Sequence, residues 1–298
     1  EIWLYGIALA AVSPLAVLFS RKIWAQDLLP LFSFIIIFSH SNRNKKWGAF
    51  LWGLTGALIG QIHMSGFFFA AGLIVFTLLH DYYNKIKFNW IYFIIASIAG
   101  SISIIPWISF MMDNPQNTKQ SLLHLFQFNF YIYWFLDAHG LNIMYSIRKE
   151  FWQFIGEPFI AGIPTYIIAL MHLFLVGVGF VSFKEILKYV KRIFLSEKLK
   201  QELFLNISQT RFYLLSVLIG LGIFMSISGI TIHPHYLICA FPFSYIFLVK
   251  ILCRKPWLIR GVIMAQLIIT LTLLSYVHLH NGVQKGDYGI TFKQQQQR

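Results

Sequence analysis

Apolar residues fill this chain in nine stretches parted by short polar breaks. They run roughly Ile2 to Phe19, Leu28 to Ser39, Trp47 to Ile62, Ser65 to His80, Trp90 to Met111, Pro158 to Phe180, Phe212 to Ile232, Tyr236 to Leu252 and Trp257 to Val277. Within each stretch the apolar positions are continuous and do not alternate, the pattern of helices and not of barrel strands. It predicts an all-α, polytopic transmembrane helical protein with about nine membrane segments, built as a single transmembrane domain over 1–298. Several stretches fall short of the about 20 residues a full span needs. Short or broken helices are tolerated where they line a protein-enclosed cavity, so the N-terminal segments are expected to surround one.

The polar breaks set the sidedness. Placing Arg43, Lys45, Lys46, Lys85, Lys87, the run Lys184 to Arg211, Lys250, Arg254, Lys255 and Arg260 on the cytoplasmic side puts 16 of the 24 basic residues there, as the positive-inside rule favours. The aromatic stretch Leu122 to Leu136 reads as a tenth span only if everything after it is inverted. It is therefore predicted to be an interfacial or re-entrant helix inside one large outer loop, 111–157. Phe183, Ile186, Leu187, Val190 and Phe194 recur at helical spacing opposite Lys184, Lys188, Lys191 and Arg192. This predicts an amphipathic cytoplasmic loop, 181–211, lying on anionic lipid.

Composition agrees: of 298 residues 57% are hydrophobic and only 12% charged, too apolar for a soluble domain of this length. The net charge of +13 is dispersed among loops, which fits lipid headgroups and argues against nucleic acid. Cys239 and Cys253 lie at the two ends of one apolar run, roughly 21 Å apart on a helix and beyond disulfide reach.

That orientation gathers a different chemistry on the outer side. Arg21, Lys22, Asp27, Gln61, His63, Asp113, His124, Asp137, His139, Arg148, Lys149, Glu150, Glu157, His233, His235, His278, His280 and Asp287 all fall there. Ionisable groups beside hydrocarbon are costly and are kept for a partner, a substrate or a proton path. Asp27, six residues from Arg21, reads either as a metal ligand, a general base or an orienter of the acceptor with Arg21 and Lys22 on phosphate, or as half of an ion pair between helix ends. Gln61 and His63 sit in a very tight turn. His233-Pro-His235-Tyr236 makes another, whose two imidazoles in an extended turn would point to opposite sides. Asp137-Ala-His139 and Arg148-Lys149 follow aromatic residues able to face a sugar or a prenyl chain. A divalent metal ion is compatible with this chemistry, and the sequence does not name its ligands.

Ser13-Pro14, Ser20-Arg21, Asp27-Leu-Leu-Pro-Leu-Phe32, Gly60-Gln-Ile-His63, His235-Tyr-Leu with Pro242, and Gly286-Asp-Tyr-Gly289 together resemble the GT-C superfamily of integral-membrane glycosyltransferases. The similarity is to the bacterial branch related to protein O-mannosyltransferases and lipid A aminoarabinose transferases. The resemblance implies transfer of a sugar, with inversion, from a polyprenyl-phosphate donor to a lipid, glycan or protein acceptor on the outer face of a bacterial inner membrane. It implies a primary catalytic acid in a first outer loop upstream of Glu1, so the chain is expected to be N-terminally truncated. It places Asp27 at the acidic position of the second outer loop and His235-Tyr236 at a turn often written Arg-Tyr, near the donor phosphate. A transporter or flippase for a lipid-linked sugar, or an O-antigen ligase or polymerase, would share the outer face and the groove. The former predicts ionisable groups at mid-membrane depth, and the latter catalysis on the Arg148 loop.

Overall fold

The computed structural model describes residues 1–114, 126–194, 199–205, 207–283, 286, 289–290 and 296. His124 and Asp287, both expected on the outer side, lie outside these residues, as does the start of the 122–136 stretch. Of the described residues 79% are helical, and the strands among them are four of two residues each. Its helices are α1 (Ile2–Val12), α2 (Pro14–Ser20), α3 (Leu29–Ser41), α4 (Lys46–Ile62), α5 (Met64–Asn84), α6 (Trp90–Ser101), α7 (Ile105–Asp113) and α8 (Asn129–Ala138). After these come α9 (Ile143–Ile147), α10 (Phe151–Phe154), α11 (Ile167–Phe194), α12 (Leu199–Phe204), α13 (Gln209–Leu215), α14 (Gly222–Ile227), α15 (Phe243–Ile251) and α16 (Pro256–Leu279).

Five helical segments are long and apolar enough to cross a membrane: Met64–Asn84, Trp90–Asp113, Ile167–Ile193, Gln209–Ile227 and Pro256–Leu279. The number rises to seven if two bent pairs, Ile2–Val12 with Pro14–Ser20 and Pro234–Ala240 with Phe243–Ile251, each count as one span. All nine apolar stretches thus contain helix, but not all contain a full span. Pro14 shows why. It has no N–H to donate and holds Ser13 extended, so the chain bends by 63° between α1 and α2 while Ser13 caps the second piece. The stretch expected from Pro158 starts its helix only at Ile167, because Phe159–Ile160 and Ile163–Pro164 first pair as a hairpin. That helix then runs on to Phe194 without a breaker, so the basic amphipathic segment begins as the last turns of α11 and not as a separate element.

The chain forms two compact units. One comprises Glu1–Ile23, Tyr133–Leu195 and Pro242–Arg298, and the other Trp24–Ile132 and Ser196–Phe241. In the second unit α3, α4 and α5 run up and down with short links, so Asp27 and His63 share one end and Arg43 and Asp81 the other. Arg43 grips Asp81 there with two hydrogen bonds, Nε to Oδ2 at 2.9 Å and Nη2 to Oδ1 at 2.6 Å, and His80 adds a third contact at 3.0 Å. Between the ends, His40 is buried against Trp52 and Phe212 and bonds the hydroxyls of Tyr213 and Thr77. Gly72 on α5 meets Gly220 in a π-helical turn, Ser216–Leu221, so closely that a Cβ on either would strike backbone of the other segment. Only glycine permits that approach.

In the first unit α11 and α16 are antiparallel. Lys255, just before α16, is 3.0 Å from Glu185 in the second half of α11, while His280 past the far end of α16 meets Gln153. Lys184, Lys188 and Lys255 therefore belong to one end and His278 and His280 to the other. Tyr245, Tyr276, Phe154 and Phe243 fill the core.

Candidate functional site

The second unit assembles a cluster at the end of α3, α4 and α5 that carries Asp27 and His63. Trp24 is extended and enters a 3-10 turn, Ala25–Leu28, with Pro30 setting the start of α3. Three residues per turn bring positions 24 and 27 over one another. The exposed Asp27 accepts the Trp24 indole N–H at 2.6 Å and its backbone N–H at 3.5 Å. The indole bond orients the Asp27 carboxylate, and no described residue of this unit forms an ion pair with it.

His63 alone links α4 to α5, in extended conformation, and caps α5 by accepting the Ser65 backbone N–H at Nδ1. Its proton must then sit on Nε2, which has no partner among the described residues. Half-burial lowers its pKa, so the ring is neutral near pH 7. Pro234 opens a second 3-10 turn, Pro234–Ala240. Against the expectation of divergent rings, His233 and His235 stack in parallel at 5.7 Å and 7°, because the extended turn ends at His233. His235 touches Trp24 at 5.5 Å and His63 at 5.6 Å, and Tyr236 meets His63 edge-on at 4.7 Å. Tyr236 also donates its hydroxyl toward the Met64 sulfur at 3.5 Å. Asp27, His63, His233, His235 and Tyr236, drawn from three distant parts of the chain, are joined through Trp24.

Gln61 is at the same end but is occupied. Its amide donates to Gly100 and Ala57 carbonyls and accepts from Ser103, so it ties α4 to α6 and has both its donors engaged. Trp24 was not among the expected site residues; its signal was the three-residue spacing to Asp27 across a turn.

The remaining candidates belong to the first unit. Arg21 is exposed after α2, and the Lys22 ammonium lies 5.2 Å from the Phe19 ring. Arg148 and Lys149 are exposed in a 3-10 turn, with Arg148 at a φ of 50° that non-glycine residues seldom adopt. Asp137 and His139 are buried, contrary to their expected place on an open loop. The reason is helix α8, too short to cross a membrane, which turns Phe130, Trp134, Asp137 and Ala138 to the interior at helical spacing.

Asp137 accepts from Ser244 at 2.9 Å and from Tyr245 at 3.1 Å, and Tyr245 in turn contacts Ser13. Burial pushes the carboxyl up to about 6 against those hydrogen bonds. His139 bonds Phe135 O and Ser182, and burial lowers it to about 4. A carboxyl raised on folding contributes most stability when protonated, below its unfolded value, and loses it as pH rises through about 6; His139 acts oppositely, losing stability as pH falls toward 4. The comparison of wild type with Asp137→Asn isolates the first effect. The variant should gain on wild type between pH 4 and 7, approaching roughly 3 kcal/mol for a two-unit shift, measured as thermal unfolding in detergent; parallel pH profiles would refute it.

Among the described residues no group of three or more His, Cys, Asp or Glu is placed to hold a metal ion. The site residues offer instead an oriented carboxylate, imidazole N–H donors and a phenol beside aromatic faces. Comparison of the chain with models of known protein families, with characterised proteins and with solved structures finds no match.

Proposed function

We propose that this protein is an integral-membrane glycosyltransferase of the GT-C kind, moving a sugar from a polyprenyl phosphate to an acceptor hydroxyl. The acceptor is a lipid, glycan or protein on the outer face of a bacterial inner membrane. The observation that supports this reading is the convergence of Asp27 with His63 and the His233 to Tyr236 turn, the acid and the turn that the resemblance pairs. In the reaction the acceptor oxygen bonds to the anomeric carbon as its bond to the donor phosphate breaks, with inversion. Asp27, oriented by Trp24, takes the proton of the attacking hydroxyl, and imidazole N–H groups donate to the polyprenyl phosphate that leaves with the bonding electron pair. Arg21, Lys22, Arg148 and Lys149 belong to the same reading as phosphate-binding cations of the outer side.

A second reading has one observation in its favour. The buried Asp137 is the kind of group a proton-coupled carrier of lipid-linked sugars would use, although its hydrogen bonds to Ser244 and Tyr245 also suit a structural pin. Vesicles holding the full protein and undecaprenyl-phosphate sugar labelled in the sugar separate the two. Transfer predicts label moving to an acceptor with release of undecaprenyl phosphate, reduced about tenfold or more by His235→Ala. Label that crosses the bilayer still on its prenyl carrier would establish the carrier instead.

A further inference from the structure

The first unit contains a cleft of about 730 Å³ between the end of α16 and the segment after α10, within the size range of ligand sites. Its polar lining is Gln153, Glu157, Thr272, Ser275 and His280, with Phe159 on one side. Glu157 is only 7% exposed, and one carboxylate oxygen is held by the Phe159 backbone N–H at 3.2 Å. The other oxygen makes no hydrogen bond to a described residue. His280 donates Nδ1–H to Tyr276 O and accepts the Gln153 amide at Nε2, which fixes its tautomer and leaves the Gln153 carbonyl oxygen unused. The Thr272 and Ser275 hydroxyls likewise make no hydrogen bond to a described residue.

The unmet groups are mostly acceptors, one of them a nearly buried carboxylate, and the described lining includes no Lys or Arg. Such a surface repels phosphate and sulfate and matches a ligand with several hydroxyl donors. The apolar lining is ordered along the helix. Leu279 and Leu271, 68% and 58% exposed, flank Ser275 at four-residue spacing on α16, a candidate span. Leu271 is thus about 12 Å further along the span than the polar end. Beside the polar end the hairpin Phe159–Ile160 with Ile163–Pro164 exposes Ile160 and Ile163, as a segment resting on the membrane boundary would. Gln153, Glu157 and His280 thus sit beside the end of the span, and Leu271 lies deeper along it, with the Thr272 and Ser275 hydroxyls between.

We propose that this cleft binds the uncharged sugar headgroup of a glycolipid, with sugar hydroxyls on Glu157 and Gln153 and the lipid tail along Leu271. The inference does not depend on the transfer reaction proposed above: it concerns lipid retention, which needs no donor and no Asp27.

The test is native mass spectrometry of the full protein from bilayer discs carrying equal amounts of monoglucosyl diacylglycerol, phosphatidylglycerol and phosphatidylethanolamine. Wild type should retain the glycolipid in preference to both phospholipids. Glu157→Gln should weaken that retention about tenfold, as expected for loss of a charge-assisted hydrogen bond. Ser275→Leu, at an exposed helical position where folding is not at stake, should weaken the preference by removing a hydroxyl and placing an apolar side chain between the polar end of the cleft and Leu271. Preference for phosphatidylglycerol or phosphatidylethanolamine in wild type, or unchanged glycolipid retention in Ser275→Leu, would overturn the proposal.

Discussion

Asp27→Asn is expected to lower sugar transfer by about 10²- to 10⁴-fold, the range for removing a group that handles a proton in the transition state. Asparagine keeps the shape and can still accept the 2.6 Å bond from the Trp24 indole, so the 3-10 turn and the start of α3 should survive. What it loses is the negative charge. The loss should appear in kcat with donor affinity little changed, because the role proposed for the carboxylate is toward the acceptor and not the phosphate. Trp24→Phe is the companion variant: it retains the charge, removes its orienting bond and should cost less, about tenfold. Transfer by Asp27→Asn within twofold of wild type would remove Asp27 from the mechanism.

Arg43→Met should be the most destabilising single change at the opposite end of the same unit. Arg43 and Asp81 are 14% and 7% exposed at their side chains and share two hydrogen bonds. Methionine removes both and leaves the Asp81 carboxylate with His80 alone, and breaking a largely buried pair from one side costs about 3–5 kcal/mol. Removing both partners is a different experiment. The double variant Arg43→Met, Asp81→Leu eliminates the stranded charge and should recover most of the loss, because the net value of such a pair is small. Thermal unfolding in detergent reads the cycle; equal stability of the single and double variants would show that Asp81 is not stranded.

Much of this architecture was legible from hydrophobic runs alone. Every run contains helix, since a continuous apolar segment in this setting has no other way to satisfy its backbone. Span count was harder to read, because a run with Pro14 or Pro242 inside it looks continuous in composition yet breaks in space. The cluster around Asp27 was partly legible: His63 and the His233 to Tyr236 turn stood out as polar interruptions. Their ring geometry did not, because it depends on whether a two-residue spacing sits in an extended or a 3-10 segment. Asp137 was misplaced for a related reason. The aromatic residues of 128–135 have the composition of an interfacial belt, and only their helical spacing in α8 marks a face that packs inward and carries an acid with it.

The two units are interleaved along the chain, and this has a consequence for biogenesis. Tyr245 reaches Ser13 across 232 residues, and Gly72 finds its partner only when Gly220 has been made. At 5–20 residues per second a ribosome needs roughly 10 to 50 s to span the first of these intervals. For that time the early helices stand in the bilayer with small-residue and polar faces uncovered, before either unit can close. Nascent chains halted before Ser244 would display Asp137 without either of its hydroxyl partners, an unsatisfied acid that a finished protein does not show.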